Sequence, residues 1–422
     1  MVQIITLVAL VLAIFIGAKW KVNTGFVALA FSFVVGVFVV GMTASQIYGG
    51  FPDSTIFKLV GMTFLFGIAK VNGTLSYVAK AVTALSKGNA KLVPFLVFIV
   101  TAVISAVGPG AIVTCAILFP IAMEIASDND IPDFLMCITV IASSLVGGGS
   151  PISATGVVGA SLTAELGLDI GYQMWLYSAI LHTLLFAIAF LCFGGLKLKN
   201  HRKDASSAYT APAIEKISGK QTFTMIVLAI TIIGILVPSS AVSFLGWDVA
   251  LAPFVGGTIL LLFGAARQDE VVASMPWSTL LLISGMAMLV NVATVAGGID
   301  ALSDFLSSIM TENTASAIMA VLAGLMSSVS SATGVVMPTL IPTTTGIVEA
   351  MAGSGVTVSS LCAAIVIGAF AVTYSPLSTL GALGMANATG RTDRDKLFLW
   401  LLLFAIGAVV LAGLLGFVGV YR

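Results

Sequence analysis

Two copies of a Ser-Pro-x-Ser motif interrupt apolar segments of the sequence: Ser150-Pro151-Ile152-Ser153 and Ser375-Pro376-Leu377-Ser378. Three glycines, 147–149, precede the first copy, and neither glycine nor proline continues an α-helix without cost. Unpaired backbone groups cannot face lipid, so each break must lie inside protein or line a wet cavity. One broken span in each half of a chain indicates a transporter binding site near the middle of the membrane.

The composition places these motifs in a membrane protein. Hydrophobic residues make up 59% and charged residues 9% of the chain, whereas soluble domains average roughly 25% charged. Apolar runs of about 20 residues predict membrane-crossing helices, because barrel strands would alternate in polarity. The sequence therefore predicts an all-α integral membrane protein surrounded by lipid. No basic face is present to bind nucleic acid, and the absence of hydrolase, metalloprotease and Walker A motifs argues against an enzyme.

Hydropathy divides the chain into two similar series of spans. A polar linker, 196–220, separates them. In the first series the predicted spans are 2–18, 24–42, 55–71, a broken span 131–163, and 172–195. In the second series they are 221–238, 247–265, 276–295, a broken span 357–388, and 397–420.

Two further apolar blocks, 90–126 and 313–350, are too long for one span and short for two. Each has small or helix-breaking residues at its centre, Gly108-Pro109-Gly110 in the first block and 330–333 in the second. We interpret each block as a re-entrant hairpin that enters and leaves the membrane on the same side. Two short full spans are the alternative. With hairpins, each half has five crossings, and the chain has ten.

The two halves are related in sequence. Pro52 and Gly61 recur 224 positions later as Pro276 and Gly285, and the Ser-Pro-x-Ser motifs lie 225 apart. Internal repeats of this kind are typical of secondary transporters. The first repeat is 1–195 and the second is 221–422. Because five crossings is an odd number, the second repeat is expected to be inverted relative to the first.

The distribution of Lys and Arg gives the orientation. With both termini outside and the linker 196–220 in the cytoplasm, every Lys and Arg except Lys58 and Arg422 lies on the cytoplasmic side, as the positive-inside rule requires. If either hairpin were two full spans, everything after it would be inverted and this bias would be lost. We therefore expect a multi-pass protein of the inner (plasma) membrane.

The two hairpin tips and the two breaks are expected to meet near the midplane and form the binding site. Helix N-termini there suit an anion, and hydroxyls can bind a carboxylate without a buried cation, although such residues also simply allow close helix packing. The candidate substrate-binding residues are Ser105, Gly108, Pro109, Gly110, Ser150, Pro151, Ser153, Ser330, Ser331, Thr333, Ser375, Pro376 and Ser378. We expect Ser150→Ala and Ser375→Ala to weaken substrate binding more than Ser327→Ala.

The chemistry of the spans favours an ion gradient over a proton relay. No Asp or Glu lies at the centre of a span, so a carboxylate relay is poorly supported. This favours Na⁺ or protonation of the bound substrate, and no other cofactor is expected. His182 lies mid-span, where a packed neutral ring is the simpler interpretation. A passive anion channel would require an open pore. Hairpins that close the site from opposite sides instead favour alternating access by a secondary transporter.

The first half resembles the malonate/dicarboxylate carrier (MatC-type) family, within the ion transporter superfamily that includes the divalent anion/sodium symporters. The resembling stretches are 50–74, 91–113 and 147–157. The resemblance implies a homodimer that moves dicarboxylates such as malonate or succinate by Na⁺ symport. It also implies an elevator mechanism, with a transport domain of about 90–163 plus 313–388 and a scaffold of the remaining spans. The alternative is a proton-coupled transporter or exchanger of a sulfonate, sulfate or monocarboxylate.

The symporters carry Ser-Asn-Thr at each hairpin tip, where it touches substrate carboxylate and Na⁺. Here the second tip reads Ser331-Ala332-Thr333 and the first, 108–111, reads Gly-Pro-Gly-Ala, so both lack the asparagine. Ser331 and Thr333 match the carboxylate-binding positions, and the first tip offers only backbone. The resemblance implies Na⁺ ligands among Gly148, Gly149, Ser331 and Thr373.

Overall fold

The computed structural model describes residues 1–86, 89–198, 216–237, 240–242, 244–389 and 392–421. Over these residues the chain folds into α-helices joined by short turns. Eight of the described helices are long and apolar enough to cross a membrane, or nine when the bent pair 315–328 and 332–350 is one span. This confirms the predicted all-α membrane protein. Most of the predicted linker, 199–215, lies outside the described residues, as do six of the charges used for orientation: Lys87, Lys199, Arg202, Lys203, Arg391 and Arg422.

The first half begins with four helices, the second of which continues as a π-helical turn to Val40: α1 (Val2–Trp20), α2 (Thr24–Val35), α3 (Ala44–Tyr48) and α4 (Asp53–Val71). The amphipathic α5 (Thr74–Thr83) follows. The predicted hairpin and broken span then fold as α6 (Val93–Ala106), α7 (Gly110–Asp128), α8 (Asp133–Gly148) and α9 (Gly156–Glu165), and α10 (Gly171–Cys192) completes the half.

The second half repeats this order: α11 (Gly219–Leu236), α12 (Ala252–Leu262), α13 (Gln268–Ser274), α14 (Trp277–Val295) and the amphipathic α15 (Gly298–Ile309). The second hairpin contains α16 (Ala315–Val329), a π-helical turn Ala332–Val336, α17 (Met337–Leu340) and α18 (Thr343–Ala350). The broken span is α19 (Val358–Ala371) and α20 (Thr379–Asn387), and α21 (Arg394–Phe417) is last.

Four of these helices, the short α3 and α13 and the amphipathic α5 and α15, lie in segments to which the sequence assigned no element. Helices α5 and α15 each follow a glycine in the left-handed region, Gly73 (φ 77°) and Gly297 (φ 72°), a conformation that glycine adopts without a steric penalty. The two glycines are 224 positions apart. The same turn therefore redirects the chain at the same point of both repeats.

The helix contacts of one half are repeated in the other. Within the halves, α1 packs on α2 and α11 on α12, and α6 packs on α8 as α16 packs on α19. Between the halves, α2 packs on α14 and α4 packs on α12. Exchanging the halves leaves this contact pattern unchanged, so the fold supports the internal repeat that the sequence offsets predicted.

Helices α8 and α19, which lead into the two breaks, form the centre of the molecule and are almost wholly buried. Each approaches its neighbour closely through a glycine. A Cβ on Gly147 would lie 2.0 Å from the carbonyl oxygen of Ala102 in α6, and one on Gly368 would lie 1.9 Å from that of Ala320 in α16. Small residues allow such backbone contact between membrane helices, and here they fix where the breaks lie.

Candidate functional site

The two Ser-Pro-x-Ser motifs break their helices in the same way. The Ser153 hydroxyl donates a hydrogen bond to the carbonyl oxygen of Gly148 at 2.9 Å. The Ser378 hydroxyl donates one to the carbonyl oxygen of Thr373 at 2.5 Å. Donor and acceptor are each 225 positions apart between the copies. The motif therefore folds into one structure twice, and its last serine satisfies a carbonyl that the broken helix leaves free.

A glycine just after each motif lets the next helix start against the break. A Cβ on Gly156 would lie 2.2 Å from the carbonyl oxygen of Ser150, and one on Gly381 would lie 2.0 Å from that of Ser375. Real side-chain atoms do not approach backbone oxygen this closely. Glycine is thus required at both positions for steric reasons.

The first hairpin tip is bonded to the first break. The Gly108 carbonyl oxygen accepts a hydrogen bond of 2.8 Å from the N–H of Ala154, and the N–H of Ala111 donates to Thr155 Oγ1 at 2.9 Å. Gly110 has a φ of 74°, which favours glycine. The tip and the break therefore form one unit, held partly by a threonine that the sequence did not single out.

The second hairpin tip is built differently. The chain bends by 119° between its two arms, and Ser330 between them is extended. The Ser331 hydroxyl accepts a hydrogen bond of 3.1 Å from the N–H of Gly334. A Cβ on Gly334 would lie 2.4 Å from the side chain of Leu282 in α14. The second tip thus rests against a helix outside the hairpin and break units.

A small cavity lies where the four unwound segments meet. Its volume is about 60 Å³. Its lining combines the start of α7, both breaks and the second hairpin tip, through Ala111, Ile112, Leu145, Thr155, Ser327, Ser330, Ser331, Ala332, Thr333, Phe370, Thr373, Ser378, Thr379 and Leu380. The predicted convergence of tips and breaks is therefore present in the structure.

Five of the predicted site residues line this cavity: Ser330, Ser331, Thr333, Thr373 and Ser378. The others lie nearby without lining it: Ser105, Gly108, Pro109, Gly110, Gly148, Gly149, Ser150, Pro151, Ser153, Ser375 and Pro376. Several of these have bonding roles within the protein, as described above for Gly108, Gly148 and Ser153, and two more are serines. The buried Ser105 hydroxyl donates to the carbonyl oxygen of Ser144 at 2.7 Å, and the Ser375 hydroxyl accepts from the N–H of Leu377 at 3.2 Å.

Three hydroxyl residues in the lining were not among the predicted site residues: Thr155, Ser327 and Thr379. Two sequence signals pointed to them. Thr155 lies two residues after the last serine of the first motif, and Thr379 directly follows the last serine of the second. Ser327 is the repeat partner of Ser105 at an offset of 222. Hydropathy alone could not rank them, because small hydroxyl residues also serve helix packing.

The polarity of the cavity comes from hydroxyls and backbone groups. No charged side chain of the described residues lines it. Helix α20 begins at the cavity wall, and its N-terminal turn presents backbone N–H groups with partial positive charge. Such a lining can hold a carboxylate by neutral donors. It does so without a buried cation, whose desolvation would be costly.

The carbonyls predicted as Na⁺ ligands, at Gly148 and Thr373, are the two that accept the motif serines. A carbonyl oxygen has two lone pairs, so each retains one for a hard cation, which prefers oxygen ligands. Among the described residues, no cluster of His, Cys, Asp or Glu is arranged to hold a metal ion. Carbonyl oxygens are ligands for hard cations rather than for soft transition metals.

Two larger grooves lie elsewhere, with volumes of about 500 and 570 Å³. The first is between α10 and α21, and the second is between α16 and α21. Both are lined almost entirely by apolar side chains. Their apolar linings make neither groove a candidate site for an anion.

Two polar contacts link the cavity region to its surroundings. His182 Nδ1 and the Tyr374 hydroxyl are 2.7 Å apart, and both side chains are fully buried. Lys58 Nζ in α4 donates to Ser161 Oγ in α9 at 3.2 Å. The first contact joins α10 to the second break. The second joins α4 to the helix that follows the first break.

Together, these elements form a helical membrane fold with repeated halves and a neutral polar cavity at their breaks. Residues 1–149 match the family model described as "Dicarboxylate carrier protein MatC N-terminus", which confirms the predicted resemblance over that part of the chain. The fold is similar to that of the YdaH transporter of Alcanivorax borkumensis, with 17% sequence identity, a TM-score of 0.58, and coverage of 94% of this chain and 96% of that one. A comparison with curated proteins found no match.

Proposed function

We propose that this protein is a secondary transporter of small dicarboxylates, such as malonate or succinate, coupled to Na⁺. The observation that best supports this proposal is the cavity at which both breaks and the second hairpin tip meet. It is lined by hydroxyl and N–H donors and by no charged side chain of the described residues. The dicarboxylate class is supported by the family match over residues 1–149.

Substrate entry requires the cavity to widen. Its volume of about 60 Å³ is well below the roughly 300–1,000 Å³ of typical ligand pockets. The second hairpin tip is the part that can open, because the first tip is hydrogen-bonded to its break at Gly108 and Ala111. We infer that movement of residues 330–333 admits the substrate.

The proposed moving unit contains the hairpins, the breaks, and also α10 and α21. Both helices were assigned to the scaffold on sequence grounds. However, α10 packs on α8 and α19, and α21 packs on α16 and α19. The scaffold is then formed by the paired helices α2 with α14 and α4 with α12.

We also propose a homodimer in the inner (plasma) membrane, with both termini outside and the linker cytoplasmic.

The test is uptake of labelled malonate and succinate by proteoliposomes under an imposed Na⁺ gradient. Na⁺-dependent uptake that saturates, with trans-stimulation by internal substrate, is expected for a carrier. Absence of uptake for every dicarboxylate would contradict the substrate class. Na⁺-independent uptake abolished by a protonophore would instead support proton coupling. Since no carboxylate of the described residues lines the cavity, the substrate itself would then carry the proton.

A further inference from the structure

We propose that α10 acts as a polar strut between the two breaks, and that His182 is a positioning residue for the binding site. The proposal rests on the proposed function only in that the second break contributes to substrate binding. It concerns side chains outside the cavity lining. Their contacts show how the two breaks are held in register.

Three side chains on one face of α10 reach the breaks. Trp175 Nε1 donates to the carbonyl oxygen of Val146 at 2.6 Å. Ser178 Oγ lies 3.5 Å from where a Cβ on Gly149 would be. His182 bonds to Tyr374 at 2.7 Å. Spacings of three and four residues place Trp175, Ser178 and His182 on the same helix face.

The two break positions that α10 touches are equivalent. Gly149 and Tyr374 each directly precede the first serine of a Ser-Pro-x-Ser motif, and they are 225 positions apart. Ser178 and His182, one turn apart on α10, therefore lie against the same point of both copies. Since Tyr374 directly follows the cavity-lining Thr373, its position determines where the second break presents its carbonyl and hydroxyl groups.

The chemistry of the His182 ring supports a positioning role. If the Tyr374 hydroxyl donates to Nδ1, only the Nε2–H of His182 lacks a partner. If Nδ1–H donates instead, the tyrosine proton and the Nε2 lone pair would both lack a partner. The tautomer with its proton on Nε2 is therefore favoured. Nε2 of His182 and Oγ of Ser178 are both buried and unpartnered among the described residues. Apolar side chains would fill these positions without that cost, and Phe404 already packs edge-on against the Tyr374 ring at 5.3 Å.

The experiment compares His182→Phe, His182→Gln, Tyr374→Phe and the His182→Phe/Tyr374→Phe double variant in the full-length protein. The matched control is Thr101→Val, which removes another buried, unpartnered hydroxyl, in α6 and outside the cavity lining. We expect His182→Phe and Tyr374→Phe each to raise KM for malonate about tenfold, the effect of losing roughly one hydrogen bond, with Vmax nearly unchanged. The double variant should match the singles, and His182→Gln should recover most of the affinity.

A second readout does not depend on transport. Hydrogen–deuterium exchange of peptides covering 372–382 should be faster in His182→Phe and Tyr374→Phe than in the wild type or Thr101→Val. Unchanged exchange and unchanged KM in both variants would overturn the strut, as would equal effects in Thr101→Val. If His182→Phe does not fold, Tyr374→Phe decides alone. If the wild type transports no dicarboxylate, the proposed function fails, whereas the exchange data still decide the strut.

Discussion

Thr155 Oγ1 accepts a hydrogen bond of 2.9 Å from the backbone N–H of Ala111, and this bond joins the first hairpin to the first break. A threonine from one unwound segment thus satisfies an N–H that the start of α7 leaves free. The same threonine lines the central cavity. This one side chain therefore both joins the tip to the break and lines the site.

Replacing Thr155 with valine should destabilise the protein by about 1–3 kcal/mol, because the Ala111 N–H is left unsatisfied in a partly buried place. Thermal unfolding in detergent measures this loss. Thr163→Val is the control, since the Thr163 hydroxyl bonds only to carbonyls of its own helix, at Gly159 and Ala160. Equal unfolding temperatures for Thr155→Val and Thr163→Val would contradict the role of this bond.

The serines should separate by whether they line the cavity. Ser331→Ala and Ser327→Ala should raise KM for a dicarboxylate about fivefold to tenfold, the effect of one lost hydrogen bond. Ser150→Ala and Ser375→Ala should change KM less, because both serines are buried outside the lining. This order reverses the one expected from sequence. Uptake kinetics of the four variants decide between the two, and larger effects at Ser150 and Ser375 would favour the sequence-based order.

Gly156→Ala and Gly381→Ala should both destabilise the protein by about 1–3 kcal/mol or more, since the added methyl would overlap a carbonyl oxygen and force the backbone to move. The matched control is Gly407→Ala in α21, where a Cβ would meet no atom within 4 Å. That substitution should be neutral or stabilise by about 0.5–1 kcal/mol. Chemical denaturation of the three variants provides the comparison. Unequal losses at the two motif glycines would argue against equivalent breaks.

The contact between Lys58 and Ser161 crosses from the proposed scaffold to the proposed moving unit. In a Cys192→Ser background, which removes the exposed native cysteine, a short bis-maleimide joining Lys58→Cys to Ser161→Cys should abolish most uptake. Joining Gln173→Cys to Tyr177→Cys within α10 should leave uptake near normal, because both positions lie in one helix. Full activity of the first cross-linked protein would rule out relative movement of α4 and α9.

The sequence predicted the class of fold because hydrophobic spans and helix breaks are local properties. Long apolar runs require helices in a membrane, and Ser-Pro-x-Ser cannot remain helical at Pro151 or Pro376. The offset of 225 between the motifs predicted two equivalent breaks, and the bonds of Ser153 and Ser378 have that relationship. The inverted orientation and the Na⁺ ligands stay predictions.

Tertiary structure decided which hydroxyls face the cavity. Ser150 and Ser331 look alike in sequence, but a one-residue change in position along a turn directs a side chain to a different neighbour. The same applies to His182, whose only signal in sequence was its place mid-span. Its partner Tyr374 is 192 positions away, a distance that only the packing of α10 against the second break closes. Local chemistry determined where the helices stop, and long-range packing determined what their ends bind.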